Sequence, residues 1–163
     1  HVDGSAEGDL LVLSWGGTFG ACTTAVSKCR GEGLSVSHAH LRYLNPFPTD
    51  LGEILGNFKQ VLIPELNTGQ LQLMIRNEFL RECEGLNKIK GRPFAVSEIE
   101  EKIKELEFRI EMDESLYNEL ANHHKVNRTL INNYRETLKE LKLQNLGDEI
   151  SSRIDELSKE KAD

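Results

Sequence analysis

Apolar and polar positions along the first hundred residues form short blocks that predict strands and helices in turn. Residues 10–15 form a continuous apolar run typical of a buried strand, and residues 20–30 mix small and polar side chains as a helix packed on a sheet does. Further strands are predicted at 34–41 and 60–66, and "LNKIKG" predicts a short fourth one. Strands alternating with helices indicate right-handed crossovers and a mostly parallel α/β sheet with both faces covered.

The helices of this first part carry recognisable start signals. Asp50 follows the turn "NPFPTD" and is predicted to cap a short helix. Gly69 is predicted to open the next helix, and Ser97 begins a third. We therefore expect an open sheet of about four strands with flanking helices, followed by an α-helical tail.

The chain divides near residue 98. Twelve of the 13 glycines and all four prolines precede that point, and after it the sequence is helical in pattern with an acidic excess. We predict an α/β domain over 9–103 and a helical extension over 106–163. No internal repeat interrupts either part.

The helical extension carries two apolar stripes that must be buried against another part of the structure. The first stripe comprises Leu130, Ile131, Tyr134, Leu138 and Leu141. After Gly147 a separate helix is predicted, capped by Asp148, with a stripe comprising Ile150, Ile154 and Leu157. Each stripe can pack on the first domain, on the other predicted helix in a hairpin, or on a second copy of the chain. The heptad pattern is too short to predict a coiled coil from sequence, and the extension is interpreted as an assembly element.

Charge and composition exclude several classes of function. The 27 acidic and 20 basic residues give a net charge of −7, which argues against general binding to nucleic acid or to anionic membranes. No apolar run approaches the roughly 20 residues of a membrane span. Three cysteines without metal-ligand spacing indicate reduced thiols in a cytoplasmic protein. Because no initiator Met is present, we expect the chain to be a piece of a longer polypeptide.

The glycine turn after the first strand raises the question of nucleotide binding. Glycines at 16, 17 and 20 do not match the dinucleotide fingerprint, and no Gly-Lys-Ser/Thr ending is present. The structural interpretation is that Gly16 and Gly17 take restricted backbone angles and let the helix approach the sheet, with Thr18 completing the loop. On that interpretation Gly17→Val costs about 1 to 3 kcal/mol of folding free energy.

A few polar side chains are candidates for function. His38 and His40 lie two apart on a strand and so share a face, a spacing that can chelate a metal, but a third ligand is not obvious. Glu65, Asn67 and Gln70 surround the end of the third strand, where partners and ligands dock in parallel sheets. No complete catalytic set and no metal site is predicted. Glu65 is interpreted as an interface or helix-capping group.

Four motifs in order carry a resemblance to a known family. The stretches "SWGGTFGA", "HLRYLNPFP", "VLIPELNTGQL" and "LNKIKGRPF" resemble the carboxy-terminal domain of the alpha subunit of 2-oxoacid:ferredoxin oxidoreductases, especially the 2-oxoglutarate type. The resemblance covers about 9–103 and implies a transketolase-C-like α/β domain. It implies a complete enzyme that decarboxylates a 2-oxoacid on thiamine diphosphate with magnesium, passes electrons through an iron–sulfur cluster to ferredoxin, and forms an acyl-coenzyme A.

The same resemblance limits what this chain does by itself. In the family, thiamine diphosphate is held by other domains, so this domain is expected to support the assembly and to be inactive alone. Arg42, in "HLRYLNPFP", is then expected at an interface with a neighbouring domain, as an ion pair or as a contact to substrate or cofactor. The alternative is a non-enzymatic helical interaction module attached to an α/β domain.

Overall fold

The computed structural model describes the backbone of residues 1–160 and the side chains of residues 1–152. It contains a five-stranded sheet in the order β1-β3-β2-β4-β5. The strands are β1 (Val2–Asp3), β2 (Gly8–Trp15), β3 (Val36–Leu41), β4 (Phe58–Glu65) and β5 (Glu84–Asn87). The predicted α/β class and the mostly parallel sheet are confirmed.

Strand β2 lies at the centre of the sheet. It pairs in parallel with β3 on one side and with β4 on the other, and β4 pairs in parallel with β5. The edge strand β1 is antiparallel to β3. The count of about four strands missed β1 because two residues are too short to produce a periodic signal. The fourth predicted strand begins earlier than expected, at Glu84.

Three helices connect the strands: α1 (Phe19–Gly31), α2 (Leu51–Gly56) and α3 (Gln70–Phe79). Asp50 stands at the N-cap position of α2, as predicted, but its side chain makes no capping hydrogen bond. Its backbone is already in the helical region, which is not the extended conformation of a typical capping residue. The helix is instead held by its apolar side, since Leu51 and Leu55 are buried.

Two apolar clusters cover the two faces of the sheet because successive strand residues point to opposite sides. Leu10 and Val12 of β2 pack with helix α1 on one face, in a cluster that includes Cys22 and Cys29. Leu11 and Leu13 pack with α2 and α3 on the other face. The two cysteines are fully buried.

Helix α4 (Val96–Glu160) contains the helical extension as far as the described backbone reaches. Its first part packs on the α1 face of the sheet, through Ile99, Ile103 and Leu106. Contacts divide the chain into one unit over His1–Glu114 and another over Ser115–Asp163. The predicted domain limits, 9–103 and 106–163, concern which segments fold independently, and they stay a prediction. No helix of the described residues is long and apolar enough to cross a membrane.

The predicted break in the extension is wrong. Gly147 and Asp148 both lie inside α4, so Asp148 does not cap a separate helix. A single glycine costs only about 1 kcal/mol relative to alanine in a helix interior, which a long helix tolerates. The side chains of Ile154 and Leu157 lie outside the described residues.

Candidate functional site

A buried polar cluster lies near the carboxyl ends of β2 and β3. The hydroxyl oxygen Oγ of Ser14 is 2.7 Å from Nε2 of His38 and 2.8 Å from Nδ1 of His40. Ser14 pairs with His40 across the parallel ladder, and His38 lies two residues earlier on the same face. The two histidines therefore share a face, as their spacing predicted, and a serine lies between them.

The hydrogen bonds around this cluster determine which ring nitrogens carry protons. Thr23 Oγ1 donates to the carbonyl of Phe19 at 2.9 Å, so it can only accept from Nδ1 of His38, 3.3 Å away. A neutral His38 protonated on Nδ1 accepts at Nε2, and the Ser14 hydroxyl must donate to it. Ser14 Oγ then accepts from the Nδ1 proton of His40.

Burial keeps the cluster uncharged near neutral pH. It lowers the pKa of His38 to about 4, with a smaller contribution from the neighbouring His40. The pKa of His40 is also lowered, first by burial and then by the positive charge of Arg42. The network is thus a chain of neutral hydrogen bonds that ties β2, β3 and α1 together.

A cavity of about 800 Å³ opens beside this network. Its lining includes His40, Arg42, Phe19 and Tyr43. The Phe19 ring meets the His40 ring edge-on, with centroids 4.9 Å apart. Among the hydrogen bonds of the described residues, Nε2 of His40 has no protein partner. The polar groups of the cavity wall therefore include this unprotonated nitrogen, the guanidinium group of Arg42 and the carboxylate of Asp3.

The loop after β2 differs in detail from the sequence interpretation. Residues Gly16–Thr18 form a single 3₁₀ turn, and the buried Thr18 hydroxyl donates to the carbonyl of Trp15 at 2.9 Å. Gly16 has a φ of +59°, but Gly17 does not have a positive φ. A Cβ at either glycine meets nothing within 4 Å. The restricted angle expected at Gly16 is thus present, whereas the expected close approach at both glycines and the positive φ expected at Gly17 are wrong. The predicted cost of Gly17→Val loses its structural reason.

The acidic group at the end of β4 holds helix α3. Glu65 is fully buried, and its carboxylate accepts hydrogen bonds from the backbone N–H of Leu71 at 2.8 Å and of Gln72 at 2.9 Å. Asn67 Oδ1 accepts from the N–H groups of Gly69 and Gln70 at 2.8 and 3.0 Å. These contacts satisfy backbone donors of the first helical turn. They correspond to the helix-capping role, one of the two roles predicted for Glu65.

The predicted site residues all lie at one edge of the sheet but in separate groups. Because parallel strands end at the same edge, the Gly16–Thr18 turn, Arg42 and the Glu65–Gln70 segment follow β2, β3 and β4 respectively. Arg42 joins the cavity, whereas Glu65 caps a helix. The described residues contain no group of three His, Cys, Asp or Glu side chains that could hold a metal ion.

The sequence interpretation missed Ser14 and Phe19. Each reads as part of a strand or helix pattern, and only the strand register brings Ser14 to the histidines. The signal that could have found it is a polar residue inside an apolar strand, since a buried hydroxyl needs a partner.

Comparisons with known proteins place residues 8–99 in a family. These residues match the family described as pyruvate:ferredoxin oxidoreductase core domain II. The chain is 42% identical over 97 residues to the 2-oxoglutarate oxidoreductase subunit KorA of Mycobacterium tuberculosis, covering 60% of this chain and 15% of that protein. It is 30% identical over 100 residues to the 2-oxoglutarate synthase subunit KorA of Methanothermobacter marburgensis, covering 60% and 27%.

A solved structure gives the same result. The 2-oxoglutarate:ferredoxin oxidoreductase from Magnetococcus marinus, solved with 2-oxoglutarate, coenzyme A and succinyl-CoA bound, superposes with a TM-score of 0.63 at 31% identity. The match covers 66% of this chain and 19% of that chain. The chain thus spans 15% and 27% of the length of the two curated relatives.

Proposed function

The chain belongs to the pyruvate:ferredoxin oxidoreductase core domain II family, and from this premise we propose that it serves as the carboxy-terminal domain of the alpha subunit of a 2-oxoacid:ferredoxin oxidoreductase. The substrate proposed is 2-oxoglutarate, because relatives in two organisms are named for it. The reaction of the complete enzyme is oxidative decarboxylation to an acyl-coenzyme A with ferredoxin as electron acceptor. This domain supports that reaction without catalysing a step alone.

The observation that carries the proposal is the surface around the 800 Å³ cavity. Phe19 is 51% exposed, Tyr43 is 73% exposed, and the exposed Arg42 lines the same cavity as these two rings. Exposed aromatic rings beside an arginine are typical of protein interfaces rather than of free surface. This surface suits the docking of a neighbouring domain, with Arg42 as the partner of a carboxylate. The cap segment of Glu65, Asn67 and Gln70 borders the same sheet edge.

The cofactors implied for the complete enzyme do not fit the residues of this chain. An iron–sulfur cluster needs grouped thiolates, whereas Cys22 and Cys29 are buried in the core and burial raises the pKa of the Cys22 thiol to about 11. The described residues offer no carboxylate set for magnesium bound to thiamine diphosphate. We therefore propose that thiamine diphosphate, magnesium and the iron–sulfur cluster are held by other domains or subunits.

The proposed partners are the other domains or subunits of the oxidoreductase, with coenzyme A and ferredoxin as partners of the whole complex. We propose a cytoplasmic protein with no nucleic-acid or membrane partner, in line with the charge of −7.

A domain exchange tests this proposal. Residues 8–99 replace the matching segment of the M. tuberculosis subunit, which is expressed with its own partner subunits and assayed for 2-oxoglutarate- and coenzyme A-dependent ferredoxin reduction. The chimera is expected to keep at least about a tenth of the parental activity. An assembled but inactive chimera contradicts the proposal.

Matched arginine variants of the chimera test the docking surface. Arg42→Ala is expected to weaken assembly and lower activity about tenfold, the effect of losing an interface ion pair worth roughly 1.4 kcal/mol. Arg92→Ala, also exposed but outside the cavity lining, is the control and keeps the chimera's activity. The 163-residue chain alone is expected to show no turnover with 2-oxoglutarate, coenzyme A, thiamine diphosphate, magnesium and ferredoxin, and turnover by the purified chain contradicts the proposal.

The second candidate function is an interaction module built on the helical extension. It is favoured by one observation, the exposure of every described side chain over residues 111–152. The reading frame that precedes His1 separates the two candidates. A thiamine-binding domain upstream supports the oxidoreductase, and its absence supports the independent module.

A further inference from the structure

Helix α4 exposes an apolar face over 111–152 that no other described part of the chain covers. Every described side chain from 111 to 152 is exposed, and large apolar residues on this segment are about half to three-quarters exposed. Helices in proteins are stabilised mainly by packing an amphipathic face rather than by the helix propensity of their residues. The segment therefore needs a partner, and the pattern of its residues indicates which one.

Six of the thirteen large apolar residues between 111 and 152 lie at positions separated by alternating steps of three and four, the spacing of a coiled-coil seam. We name as the seam the positions 117, 120, 124, 127, 131, 134, 138, 141 and 145, with 117, 124, 131, 138 and 145 as the a positions. The apolar seam residues are Tyr117, Leu120, Ile131, Tyr134, Leu138 and Leu141. The uninterrupted α4 adds the continuity that the sequence pattern alone did not supply. We propose that this seam pairs with the same seam of a second copy of the chain, in parallel and in register.

The polar seam positions favour a second copy over an unrelated partner. His124, Asn127 and Asn145 are side chains that can both donate and accept hydrogen bonds. In a parallel, in-register pair each of them faces its own copy, so both members of the layer can be satisfied. A shift by one heptad places Asn127 opposite Tyr134 of the other copy and breaks this match. Polar layers of this kind are known to determine register in coiled coils.

The flanking charges favour the parallel orientation. Arg128, Arg135 and Lys142 occupy successive e positions on one side of the seam. Antiparallel copies place e positions against e positions, so these cations would oppose one another. Parallel copies place them against the g positions, which carry Leu130 and Thr137 in the centre. This inference deepens the interaction role proposed above for the extension and concerns residues outside the 8–99 family match.

The first test measures the mass of the full chain by analytical ultracentrifugation. The unmodified chain is expected to be dimeric at about 100 μM, and Ile131→Lys with Leu138→Lys is expected to raise the dissociation constant about a hundredfold or more. Val126→Lys with Leu143→Lys is the matched control, because both residues are exposed apolar positions of the same helix outside the seam. The control is expected to stay dimeric. A monomeric unmodified chain, or equal dissociation of both variants, overturns the proposal.

The second test determines orientation without destabilising the helix. Leu141→Cys is introduced with Cys83→Ser, which leaves only the buried Cys22 and Cys29 as native thiols. Mild oxidation is expected to link two copies through residue 141 when the pair is parallel and in register. Glu140→Cys, one position away and off the seam, is the control and is expected to stay unlinked. A dimer that fails to cross-link at 141, or links equally at 140, overturns the parallel in-register pairing. The chimera assay contains residues 8–99 alone, so its outcome is independent of this one.

Discussion

Ser14 of strand β2 and His38 of strand β3 are joined by a hydrogen bond of 2.7 Å between Oγ and Nε2, and both side chains are buried. The same hydroxyl reaches His40 at 2.8 Å. One small hydroxyl group thus forms a hydrogen bond with one nitrogen of each imidazole, beside apolar positions of the same sheet face. The network is a structural support for the cavity wall, because a fully buried serine has no access to a substrate.

Removing that hydroxyl should destabilise the α/β domain. Ser14→Ala leaves one acceptor and one donor of the two histidines without their partner, at a cost of about 2 to 3 kcal/mol. Urea unfolding at pH 7.5, followed by circular dichroism, measures the loss. Ser27→Ala, at an exposed position of helix α1, is the control and is expected to change stability by less than about 0.5 kcal/mol. Equal stability of both variants contradicts the assigned network.

The stability of the chain should fall in acid because of His38. Burial lowers the pKa of this base to about 4 from its ordinary 6.5, so the folded state resists protonation that the unfolded state accepts. The contribution of neutral His38 to the unfolding free energy is complete above pH 6.5. As the pH falls towards 4, up to about 3 kcal/mol of it is lost. His38→Gln removes this titrating group and should reduce the slope of the unfolding free energy against pH over this range. A slope unaltered by His38→Gln refutes the assignment.

The strand and helix pattern of the α/β domain could be predicted from sequence because it depends on local periodicity. The apolar run at 10–15 became the central strand, and the residues after it became α1. Strand β1 and the continuity of α4 through Gly147 could not be predicted in the same way. Strand β1 depends on a pairing between residues that are distant in sequence. The continuity of α4 depends on the low free-energy cost of one glycine, which the helical residues on either side outweigh.

The site was predictable only in part, for a related reason. The shared face of His38 and His40 follows from the two-residue period of a strand. The contact of Ser14 with both depends on the register of β2 against β3, which a single sequence does not specify. Likewise, the two residues whose N–H groups donate to the Glu65 carboxylate lie six and seven positions further along the chain. The path of the intervening loop depends on tertiary packing, which a single sequence does not specify.

Glu65 should be more important for stability than its place at the edge of the sheet suggests. Its carboxylate accepts two backbone N–H groups at the start of α3 and is fully buried. Glu65→Ala should cost about 2 to 4 kcal/mol, since two donors lose a charged acceptor, and Glu65→Gln should recover part of that loss. Thermal unfolding compares both with Glu78→Ala, an exposed residue of the same helix. A Glu65→Ala chain as stable as the Glu78→Ala chain refutes the capping role.

The two glycines of the turn after β2 should respond differently to the same substitution. Gly16 has a φ of +59°, where a side chain costs about 1 kcal/mol or more, whereas Gly17 has no positive φ and open space around its missing Cβ. Gly16→Ala should therefore lower the unfolding free energy by about 1 kcal/mol, and Gly17→Ala should leave it within about 0.5 kcal/mol of the parent. Each variant is the control for the other, because the substitution and the turn are the same. Chemical denaturation of the pair measures the difference, and a larger loss at Gly17 than at Gly16 would show that the position of the left-handed residue in this turn is wrong.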